Sequence, residues 1–208
     1  MKKCIGRVIM LAVFLFSVSY ISAAEDDGWV SLFDGKSLKG WIPSPGGTWE
    51  VKDGVIVGMS AKSEKRHGVL FSEKEYSDFK VSIKYKSIKG NSGLYFRSAR
   101  IKEETDVAGF QAEIDPNGKN AGGLYENWGR QWVIKPSKEL IKKAFKKGEW
   151  NEMAVEAIGK NTTVYLNGIK TAELKNDKGR IKGYFGFQLH GTVEMHIEYK
   201  DIKIKELK

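Results

Sequence analysis

The stretch GFQAEIDPNG, Gly109 to Gly118, sets Gln111, Glu113 and Asp115 at alternate positions, with Ala112 and Ile114 between them. As an extended strand it turns an amide and two acids to one side and an apolar pair to the other. Two further stretches have the same division. In GLYFRS, Tyr95 and Arg97 share a face, with Leu94 and Phe96 opposite. In YFGFQLHG, Tyr184, Gly186, Gln188 and His190 share a face, with Phe185, Phe187 and Leu189 opposite. If these strands are neighbours, their polar faces form one cleft with two acids, an arginine, a histidine and aromatic walls. Sugars are recognised by such groups, which give directional hydrogen bonds to hydroxyls and flat surfaces for C–H faces. The competing reading is the solvated face of an ordinary antiparallel sheet. A solvated face has the Lys-rich pattern of Phe79 to Ile88, where Lys80, Ser82, Lys84 and Lys86 alternate with Phe79, Val81, Ile83 and Tyr85.

Among these groups His190 is the natural acid–base candidate, because an imidazole titrates near neutrality. A hydrogen-bonded structural histidine is the alternative. His196 shares a strand face with Glu194 and Glu198 and reads as surface-exposed, while His67 reads as a loop residue at a cleft rim. No two of the three histidines have close ligand spacing. A divalent metal ion held by Glu113, Asp115 or His190 from separate strands is the one cofactor these residues suggest. No GxSxG, HExxH, phosphate-binding or dinucleotide-binding fingerprint is present.

The elements that must carry these groups are short strands. Trp29 to Gly35 is an apolar segment ending in a turn, and Trp49 to Gly58 is a hairpin whose Asp53-Gly54 suits a type I′ turn. Phe79 to Ile88, Ser92 to Ala99, Gly109 to Asp115 and Gly123 to Ile134 follow as strands. Lys138 to Gly148 is the one helical pattern, with Leu140, Ile141, Ala144 and Phe145 at helical spacing and Gly148 as a stop. Trp150 to Gly159 and Thr162 to Leu174 form a hairpin region turned at Asn167-Gly168. Gly183 to Gly191 and Val193 to Leu207 close the chain. This count predicts an all-β fold, a sandwich of two antiparallel sheets in a single domain over residues 25–208.

Composition agrees: the chain has 208 residues, 41% hydrophobic and 29% charged, which suits a globular domain and excludes a disordered one. Residues 1–24 read as a secretory signal peptide, with Lys2, Lys3 and Arg7 ahead of the apolar run Val8 to Val18, and small residues at Ser22-Ala23-Ala24. The run is too short for a confident membrane span. The expected location is therefore secreted, periplasmic or extracellular, with no stable span after cleavage. Cys4, the only cysteine, precedes the apolar run, so no lipid anchor and no disulfide are expected. Removing the leader lowers the formal net charge from +9 to about +6. The densest basic run, Lys142 to Lys147, reads as a solvated face, and no nucleic-acid partner is expected.

Six stretches in order carry a resemblance: GWVSLFDGKSLKGW (Gly28 to Trp41), GNSGLYFRS (Gly90 to Ser98), GFQAEID (Gly109 to Asp115), GGLYENWGR (Gly122 to Arg130), YLNG (Tyr165 to Gly168) and FQLHG followed by IEYKDIKIKEL (Phe187 to Leu207). Together they resemble the 3-keto-disaccharide hydrolase family. The resemblance implies a concanavalin A-like jelly-roll sandwich. It also implies cleavage of 3-keto-glycosides, by hydrolysis or by elimination across C1–C2 followed by hydration. The C3 ketone acidifies the C2 proton, a base removes it, an oxyanion site holds the enolate, and the C1 oxygen leaves. Carried onto this chain, the resemblance gives His190 as base or acid, Glu113 as its acid–base partner or a metal ligand, and Arg97 as the oxyanion clamp. Gln111, Asp115, Tyr95, Gln188, Tyr125 and Trp128 would line the sugar site, with Arg130 a weaker addition. Asn127 and Trp128 stand where the family often has acidic or Gly residues. The partners implied are a carbohydrate substrate and an upstream oxidoreductase that makes the 3-keto group. The alternative is a non-catalytic carbohydrate-binding module of lectin-like fold, since fold does not fix function. An ordinary glycosidase built on Glu113 and Asp115 is disfavoured. Residues two apart on a strand lie about 6.5–7 Å apart on one face, whereas glycosidase acids flank the bond.

Overall fold

The computed structural model describes residues 27–101 and 106–207. The expected leader, residues 1–24, lies outside the described residues. Fifteen strands and one helix run along the rest: β1 (Val30–Ser31), β2 (Trp41–Pro43), β3 (Thr48–Lys52), β4 (Val55–Ser60), β5 (Gly68–Tyr76), β6 (Phe79–Lys89), β7 (Ser92–Ile101), β8 (Asp106–Ile114), β9 (Leu124–Asn127), β10 (Gln131–Ile134), α1 (Lys138–Ala144), β11 (Asn151–Ile158), β12 (Asn161–Leu166), β13 (Ile169–Leu174), β14 (Gly183–Leu189) and β15 (Met195–Glu206). They form two antiparallel sheets. The first has the order β13-β12-β11-β6-β15-β4-β3, with β1 added beside β15; the second has the order β10-β9-β8-β7-β14-β5-β2. Among the described residues no helix is long and apolar enough to cross a membrane.

The predicted alternation is what closes the sandwich. On β6, Phe79, Val81, Ile83 and Tyr85 are buried, and the lysines between them face away. The second sheet answers with Leu94 and Phe96 from β7, Phe110, Ala112 and Ile114 from β8, and Phe185, Phe187 and Leu189 from β14. Aromatic pairs join the layers: Phe187 stacks on Tyr199 with centroids 4.0 Å apart, and Phe79 meets the edge of Phe185 at 4.7 Å. Each such side chain contributes about 1.5–3 kcal/mol by leaving water. The turns agree with their residues. Asp53-Gly54 and Asn167-Gly168 both hold positive φ at two consecutive positions, as a type I′ turn requires.

Some element boundaries differ from the sequence reading. Gly123 to Ile134 is two strands, β9 and β10, folded back on each other. The region from Trp150 to Leu174 is a three-strand meander with an additional turn at Gly159-Lys160. The helix starts at the Ser137 cap, whose Oγ accepts from the Leu140 N–H, and ends at Ala144, before Gly148. β5 was not anticipated. Its first half, Val69-Leu70-Phe71, is buried on both faces and therefore does not alternate.

Candidate functional site

The three polar strands are neighbours, in the order β8-β7-β14. Their register puts Gly93 beside Glu113 and Tyr95 beside Gln111. On the other side of β7, Gly186 lies opposite Tyr95 and Phe187 opposite Leu94. Gln188 therefore falls next to Gly93. A Cβ at Gly93 would lie 2.1 Å from Gln111 Nε2, so the Gln111 side chain lies flat across this glycine. It reaches the far strand, where its Nε2 donates to Gln188 Oε1 at 3.0 Å. Gln188 Nε2 donates to the Tyr95 hydroxyl oxygen at 2.5 Å, and Asn127 Nδ2 donates to Gln111 Oε1 at 2.9 Å. Four polar side chains from four adjacent strands thus form one hydrogen-bonded row on the face turned away from the core.

Glu113 stands at the end of that row and is 7% exposed. Its backbone is fixed from both sides. It pairs with Gly93 on β7, its N–H donates to Gly123 O at 3.0 Å, and its O accepts from Gly122 N at 3.0 Å. The carboxylate Oε1 accepts from Asn91 Nδ2 at 2.5 Å. Oε2 takes no hydrogen bond from the described residues. Burial pushes the carboxyl up to about 7, against the pull of the Asn91 hydrogen bond and with a further push from Asp115. An acid held there changes charge at neutral pH, as a general base must.

His190 lies beyond the end of β14 on the same face as Gln188 and is half-buried. The edge of one imidazole meets the face of the other: the His67 and His190 rings are 5.2 Å apart and inclined at 71°. Burial, then the neighbouring His67, pulls His190 down to about 4. At neutral pH it is an uncharged imidazole with one N–H to donate. His67 is exposed, as expected of a rim residue, and its Nδ1 accepts from Gly191 N at 3.3 Å. Asp115 is half-buried and its Oδ1 accepts from Asn117 N at 2.8 Å. Tyr125 lies opposite Gln111 on β9, with its ring edge against Trp132.

Three predicted residues are not brought to this group. Arg97 faces the other way. Between Phe96 and Ala99 strand β7 takes three steps while β8 takes two, and Arg97 sits in that bulge with φ 47°. Its guanidinium is buried against Ser77 O (2.9 Å), Gly159 O (2.8 Å) and Asp78 Oδ1 (3.0 Å), where it ties two turns to the sheet. The oxyanion-clamp assignment is corrected on that geometry. Trp128 is 60% exposed at the β9–β10 turn, with its Nε1 on Asp106 Oδ2 at 2.7 Å, at the opposite end of β8 from Glu113. Arg130 is engaged by Glu126 and Asp177. The arginine that does reach the outer face is Arg100, whose guanidinium lies over Phe71 (4.8 Å) and Tyr184 (4.5 Å), far along β7 from Glu113. Asn91 and Asn127 were missed as site residues. Continuing the alternation of Gly93 and Tyr95 back one step to Asn91 would have found the first.

Among the described residues no group of three or more His, Cys, Asp or Glu side chains converges to hold a metal ion. Glu113 Oε1 and Asp115 Oδ1 already accept N–H donors. A surface cleft of 590 Å³ on the outer face of the first sheet offers no better site. It is open and lined by exposed groups, and its Lys84 is paired with Asp201 at 2.8 Å. Glu113 differs in being buried without a cation beside it.

Solved structures share this architecture. A protein of Parabacteroides distasonis provisionally assigned as a glycosyl hydrolase matches with TM-score 0.64 at 22% identity, over 87% of this chain and 94% of its own. The carbohydrate-binding module CBM66 of Bacillus subtilis matches with TM-score 0.60 at 18% identity, over 79% and 94%. A Bacillus subtilis protein of unknown function with a galectin-like fold matches with TM-score 0.66 at 14% identity, over 81% and 90%. At these identities the likeness shows the jelly-roll fold alone. No curated protein sequence matches the chain. The family model described as the 3-keto-alpha-glucoside-1,2-lyase-like domain matches residues 28–205, nearly all of the described chain, and the protein belongs to that family.

Proposed function

We propose that this protein cleaves 3-keto-glycosides by elimination across C1–C2, with Glu113 as the general base. The observation that carries the reading is the Glu113 carboxyl, buried beside an amide row and pushed up to about 7. In the ionised form it removes the C2 proton, which the C3 ketone has acidified. The electron pair of the C2–H bond passes through the enolate to expel the C1 oxygen, which leaves as the alcohol once it gains a proton. Addition of water across the resulting double bond completes a net hydrolysis. With Arg97 buried elsewhere, the enolate oxygen would be held by neutral donors. The His190 N–H and the Tyr95 O–H are the candidates, since the Tyr95 oxygen already accepts from Gln188. Gln111, Gln188, Asn127 and Tyr125 would supply the sugar-facing surface. The leader-like residues 1–24 support export, and an oxidoreductase that makes the 3-keto group would act before this protein.

The test is alcohol release from α- and β-linked 3-keto-glucosides by the purified protein and by Glu113→Gln. The expected loss in kcat is about 10³-fold or more, within the range of general-base removal. Equal release by both proteins would sink the assignment. A second reading, a non-catalytic carbohydrate-binding module, is favoured by the interlocked amide row, which needs no titrating group. It predicts sugar binding without release by either protein.

A further inference from the structure

The geometry points to Asn91 as a positioning residue that fixes the Glu113 carboxylate so that Oε2, and not Oε1, meets the substrate proton. This role rests on the reading of Glu113 as the base. Asn91 is the second residue of the turn between β6 and β7, and the residues on both sides of it are held. Gly90 has φ +84°, a conformation that favours glycine, and it packs against Met195. The Gly90 carbonyl accepts from Ser87 Oγ at 2.8 Å. Ser92 Oγ donates to Gln188 O at 2.7 Å and lies 2.8 Å from the Tyr199 hydroxyl. With both neighbours anchored, the Asn91 amide is aimed at the face that carries Glu113, and its Nδ2 meets Oε1 at 2.5 Å. It is the one side chain among the described residues that hydrogen-bonds this carboxylate. Without it, the end of the Glu113 side chain could turn and exchange its two oxygens.

The bond has an electrostatic consequence with a definite sign. A donor on Oε1 favours the charged carboxylate, whereas burial and Asp115, two residues along the same strand, favour the neutral acid. The other titratable groups that feel Glu113 are Tyr95 on β7 and Tyr85 across the core on β6, and both stay neutral near pH 7 because burial raises them; His190, beyond β14, is lowered by burial and by His67 and is also neutral there. Removing the Asn91 donor therefore moves Glu113 titration upward. A hydrogen bond to a charged group is strong enough to make that shift about one pH unit or more.

The experiment follows the Glu113 carboxyl by 13C NMR in the full protein without substrate, its signal assigned by loss in Glu113→Gln. Wild type is compared with Asn91→Ala and Asn91→Ser; the serine hydroxyl stays polar at the turn but is too short to reach Oε1. The expected result is an upward shift of the midpoint in each folded variant. With a 3-keto-glucoside, the acid limb of kcat/KM should move by the same amount, and the high-pH plateau should stay below that of wild type, because the ionised carboxylate is no longer held; a plateau equal to wild type would overturn the positioning role. A midpoint unchanged from wild type in either folded variant overturns the role of Asn91. No release by wild type would instead remove the reading of Glu113 as base, while the NMR midpoint would still judge the contact.

Discussion

At the scale of single residues, Glu113 and His190 pull stability in opposite directions. Glu113 has a folded value near 7 against an ordinary value of 4.5, so the folded state binds the proton more tightly. Its contribution is fully present below about pH 4.5 and is lost as pH rises through 7. That loss is on the order of 3 kcal/mol, the usual equivalent of a shift of this size. His190 is the reverse case: its folded value near 4 lies below the ordinary 6.5, so stability is lost as pH falls through that window. The two slopes overlap and offset each other. Glu113→Gln keeps the size of the side chain, leaves an oxygen for Asn91 and removes the ionisation. It should raise the melting temperature at pH 8, leave it nearly unchanged at pH 4, and expose the rise in stability with pH that His190 contributes. Thermal unfolding across pH, followed by circular dichroism, checks all three. A variant less stable than wild type at pH 8 would mean that the buried carboxylate is not a cost to the fold.

At the scale of elements, the β7 bulge decides which groups face the site. Arg97 turns inward there and closes the β5–β6 and β11–β12 turns onto the sheet. Arg97→Met should therefore cost about 2–4 kcal/mol in denaturant unfolding, because two carbonyls and Asp78 lose a buried partner. It should leave the pH dependence of kcat/KM in place. A selective loss of kcat with unchanged stability would restore Arg97 to the site. The same bulge marks the limit of what could be read from the chain. Period-two alternation was legible along Phe79 to Tyr85, Gly109 to Asp115 and Tyr184 to His190, because one side of each strand had to be apolar to close the core. Gln111, Glu113, Gln188 and His190 could be placed on one outer face for that reason. One extra residue in β7 leaves the letters alternating while the backbone no longer does, so Arg97 looked like a partner of Tyr95. Asn91 was passed over because it lies in the turn, one step before the strand, and β5 because its buried start has no polar face.

At the scale of the molecule, the site is assembled from distant parts of the chain. Glu113 and Gln111 come from β8, Asn91 and Tyr95 from β7 and the turn before it, and Gln188 and His190 from the last quarter of the sequence. What aligns them is the order β8-β7-β14, which no local pattern specifies, together with Gly93, which leaves room for the Gln111 side chain to cross. With Glu113 acting as a base rather than as a ligand, alcohol release from a 3-keto-glucoside is predicted to be insensitive to EDTA. Release abolished by EDTA and restored by a divalent cation would return Glu113 and His190 to ligand roles. The most direct test of the account is the pH profile of kcat/KM for a 3-keto-glucoside. The account predicts an ascending limb that breaks at about 7, where Glu113 loses its proton, and disappears in Glu113→Gln. A profile flat through neutrality, or a break that survives in Glu113→Gln, would contradict it.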